Sequence, residues 1–172
     1  MAIERRAREE IVIRRAGVDD VAAVVRLVNL AYRVEAFFID GDRTNEAEVE
    51  GLVARGGFLL AERAGVAVGS VYVEHRGDHG YIGLLSVEPA LQGAGIGRAL
   101  MGEAEAALAA AGLRRVELLV VDLRTELPPW YARLGYRDVG WRPFPPGAPV
   151  KRPCRFLVLS KRLGAPTAGS KA

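Results

Sequence analysis

Leu85-Ser86-Val87-Glu88-Pro89-Ala90-Leu91-Gln92-Gly93-Ala94-Gly95-Ile96-Gly97-Arg98 is the stretch that decides how this chain folds. It joins a β-type run, Gly80–Val87, to a segment whose apolar residues Ile96, Leu100, Ala104, Leu108 and Ala111 recur at helical spacing. Pro89 blocks strand pairing just beyond the run, and Gly112 suits the residue after a helix. Glycines carry no Cβ, so the N–H groups from Gln92 to Arg98 can converge and a large anion can come close. The helix behind them adds a partial positive charge that favours phosphate or pyrophosphate. Arg98, in the first turn, can add a charge-assisted contact. A tight strand-to-helix turn would need the same glycines for conformation alone, so the surroundings have to decide.

Downstream, Val116–Val121 is a near-continuous apolar run. Following a strand and a helix, it reads as a buried parallel strand in a βαβ unit. Upstream, Phe58–Arg63 and Val66–His75 form a hairpin over Ala64-Gly65, and a turn at Gly77-Asp78 leads into the decisive run. Earlier still, Ile11–Arg15 alternates like a strand. Val21, Val24, Val25, Val28 and Ala31/Tyr32 then keep helical spacing, with Asp19 or Asp20 as N-cap. Thr44 opens a second short helix that Gly56-Gly57 stops. At the other end, Pro128-Pro129 can start a short helix through Leu134. Tyr136–Trp141 and Arg155–Leu163 are the last strands, around a proline-rich loop from Pro143 to Pro153. The expected order is β-α-α-β-β-β-α-β-α-β-β, an α+β domain over residues 11–163. Its sheet is mixed and mostly antiparallel, with one parallel pair. Residues 1–10 and 164–172 are expected to be loose tails.

With 172 residues, 50% hydrophobic and 26% charged, the chain has the size and composition of one ordinary globular domain. A lone cysteine, Cys154, excludes an internal disulfide framework and a cysteine zinc cluster. Two histidines, His75 and His79, cannot build a multi-histidine metal site, so no metal is expected. No apolar run approaches the ~18 residues of a membrane helix, and no apolar core follows the N-terminal arginines. The expectation is a soluble, cytoplasmic protein that makes no membrane contact. The formal net charge is +3, unevenly placed. Seven basic residues and no acidic one lie between Trp141 and the end (Lys171 among them), while all 21 acidic residues lie earlier. Those positives are spread out and not interleaved with stacking aromatics, so no nucleic-acid partner is expected.

Three phosphate-binding patterns can be tested on the glycine stretch. A P-loop requires a Lys after its last glycine, and none follows here. The dinucleotide fingerprint Gly-x-Gly-x-x-Gly fails from either start, its third glycine falling on Arg98 or Leu100. Asp122 does imitate that fold's ribose-binding acid, so a Rossmann-like nicotinamide-dinucleotide protein is an alternative. The third pattern matches. Gln92-x-x-Gly95-x-Gly97 resembles the Gln/Arg-x-x-Gly-x-Gly/Ala motif of the GNAT superfamily of acetyl-CoA-dependent N-acetyltransferases. Leu85-Ser86-Val87-Glu88-Pro89 resembles its Leu-x-Val-x-Pro strand exit, and Tyr131-Ala132-Arg133-Leu134-Gly135-Tyr136 is similar to its Tyr-x-x-x-Gly-Phe/Tyr element. The element order agrees over about residues 11–163.

The resemblance implies a fold in which the strand Gly80–Val87 splays from Val116–Val121, with acetyl-CoA in the V between them. Backbone at Leu85, Ser86 and Val87 would pair with the pantetheine arm as an added strand would. Gln92, Gly93, Ala94, Gly95, Ile96, Gly97 and Arg98 would hold the pyrophosphate. Where many members have an asparagine, this chain reads Arg124-Thr125-Glu126-Leu127-Pro128-Pro129, and Thr125 could supply a hydroxyl. An amine would attack the thioester directly, with a backbone N–H near Leu85–Val87 as oxyanion donor. Tyr131 would protonate the departing thiolate; its alternative is a core aromatic. For the general base, Tyr81 and Gly83 hold the family's position, expected on one face with Leu85 and Val87 by alternation. Glu35, Glu74, His75 and His79 are alternatives. The acceptor pocket would draw on Tyr32, Glu35, Phe38, Arg43 and Tyr81, within a segment that also holds Arg33, Phe37, Asp40 and Asp42. These residues fit a small metabolite amine, an antibiotic, an amino acid or a protein N-terminus alike. The protein would act as a monomer or homodimer. A non-catalytic acyl-CoA-binding module is the other alternative.

Overall fold

Alternating and continuous apolar runs become strands in this sequence, and the spaced apolar rows become the helices that cover them. A computed structural model describes residues 10–164. The expected tails and Lys171 lie outside those residues, apart from the end positions 10 and 164. The strands are β1 (Ile11–Arg15), β2 (Phe58–Arg63), β3 (Val66–Arg76), β4 (His79–Val87), β5 (Arg115–Val121), β6 (Arg137–Pro143) and β7 (Arg155–Arg162). The helices are α1 (Val21–Tyr32), α2 (Glu46–Arg55), α3 (Ile96–Ala110) and α4 (Leu127–Arg133). The strands form one sheet in the order β1-β2-β3-β4-β5-β7-β6. All neighbours run antiparallel except β4 and β5. Such a sheet, with a single parallel pair, excludes the Rossmann-like alternative, which needs a parallel sheet. Asp122 has a local task instead, accepting a hydrogen bond from the Arg155 backbone N–H at 3.2 Å.

Two apolar layers sandwich the sheet. On one face α3 sets Ile96, Leu100, Ala104 and Leu108 against Val71, Ile82 and Val116. On the other, Val24, Leu27 and Val28 of α1 and Val49 of α2 pack on Phe58, Leu60 and Tyr72. Leu100 is fully buried, so its truncation to alanine would cost about 2–5 kcal/mol. Between α2 and β2, Gly56 lets backbones meet closely: a Cβ there would collide with the Val73 carbonyl oxygen. Among the described residues no helix is long and apolar enough to cross a membrane.

Three local expectations are corrected. Asp20 stands at the N-cap of α1, yet its carboxylate does not cap the helix. It turns back to accept from Arg14 at 2.7 Å and from the Gly17 N–H at 2.7 Å, two donors that outcompete a helix N–H. α2 opens at Glu46 behind Asn45, not at Thr44: Asn45 Oδ1 accepts from Glu48 N at 3.0 Å, while the Thr44 hydroxyl donates to the Glu48 carboxylate. The third concerns β4. Tyr72 pairs with Gly83 and Ser70 with Ser86, so Leu84 and Leu85 together oppose Val71. Leu84 takes φ +49° at this bulge. The extra residue shifts the side-chain alternation. Tyr81 and Leu84 pack on the α1 face, whereas Ile82, Leu85 and Val87 pack on the α3 face. Tyr81 and Leu85 therefore do not share a face.

Candidate active site

β4 and β5 are in register at only two positions, Gly80 opposite Val116 and Tyr81 opposite Glu117. Beyond them the strands part. Among the described residues, the side of β4 that faces β5 thus has no strand partner from Gly83 to Val87. A cavity of about 1300 Å³ occupies the gap and runs from the glycine turn to the segment after α1.

The glycine turn forms one end. Gly93 and Gly95 have φ +82° and +86°, and a Cβ at either would meet no atom within 4 Å, so both face open space. Gly95 is also the N-cap of α3, and among the described residues no side chain caps it, which leaves the first-turn N–H groups open to an anion. Gln92, Ile96, Gly97 and Arg98 line the cavity here, and the Gln92 amide reaches the Val87 carbonyl at 3.4 Å. Ala94 is exposed and outside the lining.

In the middle, Leu85 and Val87 line the cavity. Ser86 points the other way because of the alternation: it is buried, and its hydroxyl donates to the Leu84 carbonyl at 3.0 Å. Tyr131 of α4 lines the wall opposite. Its ring is held edge to face between Trp130 and Tyr136, with centroids 4.8 and 5.8 Å away. The Tyr136 hydroxyl donates to Glu105 of α3 at 2.9 Å, fixing this aromatic row from behind. Burial pushes the Tyr131 phenol well above its usual range, and nearby Arg124 partly offsets that.

At the far end Tyr32, Glu35, Arg43 and Tyr81 all line the cavity. Burial raises the Tyr32 phenol to about 12, with the Arg43 charge acting against it. The Arg43 guanidinium sits 5.5 Å from the centre of the Tyr32 ring. Tyr81 lies along its own strand over Gly83, where a Cβ would be 2.8 Å from the ring. Glu35 is 7% exposed and meets Arg124 at 2.9 Å. Phe38 was expected here but is fully buried outside the lining, packed edge to face on Phe37. Thr125 is exposed and also outside it; its neighbour Arg124 turns inward instead. Neither Arg124 nor the loop residues Phe144, Pro145, Ala148 and Pro149 were expected in the lining. The signal that could have found the loop was its density of prolines, which stiffens a segment enough to serve as a wall.

Of the other candidate bases, Glu74 is paired with Arg76 at 2.7 Å, and His75 Nε2 lies 2.9 Å from the Gly77 carbonyl. His79 is flanked by Asp78 and Glu117. None of the three lines the cavity.

A mixed sheet opened at its one parallel pair, with a left-handed glycine turn at the mouth, defines the acetyltransferase class the motifs suggested. Residues 54–138 match the family described as Acetyltransferase (GNAT) domain. The matched residues carry a GNAT acetyltransferase domain. A mycothiol acetyltransferase of Cellulomonas flavigena is 38% identical over 109 residues, which is 55% of this chain and 31% of that protein. The match thus spans about a third of that relative's length. The ribosomal-protein-S18-alanine N-acetyltransferase of Escherichia coli superposes with a TM-score of 0.75 at 16% identity, over 95% of this chain and 99% of that one. N-acetylglutamate synthase from Neisseria gonorrhoeae, solved with coenzyme A and N-acetyl-glutamate, gives 0.69 at 20% identity, over 91% and 36%. These two likenesses establish the fold.

Proposed function

We propose that this chain moves the acetyl group of acetyl-CoA directly onto a primary amine of a small molecule or peptide. The observation that carries this reading is the gap between β4 and β5, where Leu85 and Val87 offer backbone that no strand takes. The pantetheine amides would add to β4 there as an extra strand. The pyrophosphate would lie on the open, left-handed turn at Gly93 and Gly95, against the uncapped start of α3. Bound in this way, acetyl-CoA supplies a thioester, an acyl group already activated for attack.

The chain's own residues would supply the rest. A backbone N–H between Leu85 and Val87 would donate to the developing oxyanion. Tyr131 keeps its proton at neutral pH, because burial penalises the phenolate, and would release it to the departing thiolate. Tyr32, Glu35, Arg43 and Tyr81 would hold the acceptor. The partial likeness to a mycothiol acetyltransferase supports acyl transfer without naming the acceptor.

Thermal unfolding with ligands tests the binding half of this reading. A ligand that binds only the native state stabilises it by mass action. Acetyl-CoA should raise the melting temperature, and pantetheine, which lacks the pyrophosphate, should do much less. Equal shifts would contradict the assignment of the glycine turn.

A further inference from the structure

We propose that Glu35 is the general base of this site, taking the proton from the acceptor ammonium before the amine attacks. The inference rests on the acetyl-transfer reading above and assigns a residue to the one step that reading left without one.

On the walls formed by β4 and β5, the cavity is lined by Gly83, Leu84, Leu85, Leu119, Val120 and Val121, none with a proton-accepting side chain. Tyr81 is there, but burial raises its phenol, so it is protonated and cannot accept. At the acceptor end the other carboxylates are occupied or open to water. Asp40 is held by Lys151 at 2.8 Å, Glu48 receives the Thr44 hydroxyl at 3.0 Å, and Asp42 is exposed. Glu35 combines a place in the cavity wall with near-complete burial.

Its partner is arranged to let it work. Arg124 bonds Oε1 of Glu35 at 2.9 Å, and among the described residues Oε2 has no partner. Arg124 also bonds Glu126 at 2.6 Å, so its charge is shared between two carboxylates and it keeps a partner when Glu35 is protonated. Around Glu35 stand Arg124 and Glu126 from the segment after β5, Arg43 from the loop before α2, Tyr32 from the end of α1 and Cys154 from the approach to β7. Burial outweighs the two cations, so this carboxylate binds a proton more readily than an exposed glutamate does.

The step balances. Oε2 removes one proton from R–NH3⁺, and the freed lone pair attacks the thioester carbon. The C–N bond forms and the C–S bond breaks. The thiolate takes the phenolic proton of Tyr131, and the surplus proton on the new amide nitrogen returns through water to Tyr131. Glu35 releases its proton to solvent, so the reaction yields one amide, one thiol and one H⁺.

The test is a pH–rate profile of Glu35→Gln, a substitution of nearly the same shape that still accepts from Arg124. With a simple alkylamine acceptor, kcat/KM near neutral pH should fall by about 10²–10⁴-fold. The deficit should shrink as pH rises towards the amine's own pKa, because a free amine needs no base. An equal loss at every pH, or a loss under about threefold, would overturn the assignment. If that variant does not fold, Glu35→Asp reads the same profile, with a smaller deficit that also closes at high pH. A second measurement needs no acceptor: ¹³C NMR of the glutamate carboxyls, with the Glu35 signal assigned by its loss in the variant. A midpoint above the ordinary 4.5 supports the assignment, and one at or below it overturns it. Absence of thiol release by the wild type would sink the transferase reading together with the base role. Release by Glu35→Gln within about threefold of wild type near neutral pH would sink the base role alone.

Discussion

Lys151 Nζ donates to the carbonyl of Ala36 at 2.7 Å, joining two loops 115 residues apart in the chain. The same ammonium meets Asp40 at 2.8 Å, and the Lys151 N–H donates to the Phe38 carbonyl at 2.7 Å. An isolated bridge between Ile39 and Val150 completes the clasp. Ile39, Asp40, Ala148 and Pro149 line the end of the cavity proposed for the acceptor, so this junction is part of its wall. Lys151→Ala should cost no more than about 1 kcal/mol in stability, because the ion pair is largely exposed. It should raise the acceptor KM about threefold or more and leave acetyl-CoA affinity unchanged. Steady-state kinetics beside a calorimetric Kd separates the two effects.

Gly95→Val tests the glycine turn. A β-branched residue is strained at φ +86°, and its methyls would occupy the open space proposed for the pyrophosphate. Acetyl-CoA affinity should weaken by about tenfold or more, equivalent to ~1.4 kcal/mol. Calorimetric titration of the folded variant measures it, and an unchanged Kd would contradict the placement.

Tyr131→Phe removes one hydroxyl and keeps the ring that Trp130 and Tyr136 hold. Acetyl-CoA binding should survive, while the chemical step slows by about 10²–10⁴-fold. Single-turnover rates are the observable, since slow product release would hide part of the effect. A rate within about twofold of wild type would make Tyr131 a packing residue.

Acid should weaken the link between β1 and the start of α1. Arg14 and the Gly17 N–H hold the Asp20 carboxyl down at about 2, below its ordinary 3.8. A depressed folded-state pKa adds stability that is complete above the unfolded value and is lost as pH falls from about 4 towards 2. Urea melts across that window should show a shallower decline in Asp20→Asn than in wild type. Parallel declines would mean that other carboxylates carry the acid sensitivity.

The elements were legible where one local signal sufficed. Val116–Val121 read as a buried strand and Gln92 to Arg98 as a turn feeding a helix, so the element order followed; the splay of β4 from β5 came only with the resemblance to the acetyltransferase family. The bulge at Leu84 was hidden because a leucine at φ +49° has no sequence mark of its own; the strand register imposes it. It overturned the shared face of Tyr81 and Leu85. At the site, residues in the loop after α1 could be named from their chemistry, but not which of them turn inward. Phe38 turned into the core, whereas Glu35 turned to the cavity, where Arg124 meets it across 89 residues of sequence. Arg124 itself was passed over for Thr125, its neighbour, because which side chain of a loop faces inward is set by tertiary packing.

Acetyl transfer is tested most directly by mixing the wild-type protein with acetyl-CoA and a panel of primary amines, peptides included. Thiol release is followed, and each acceptor is weighed by mass spectrometry. Stoichiometric thiol and singly acetylated product are expected with at least one amine, at a rate well above the enzyme-free control. Thiol released without an acetylated amine, or acetyl-CoA bound but unconsumed across the whole panel, would contradict it.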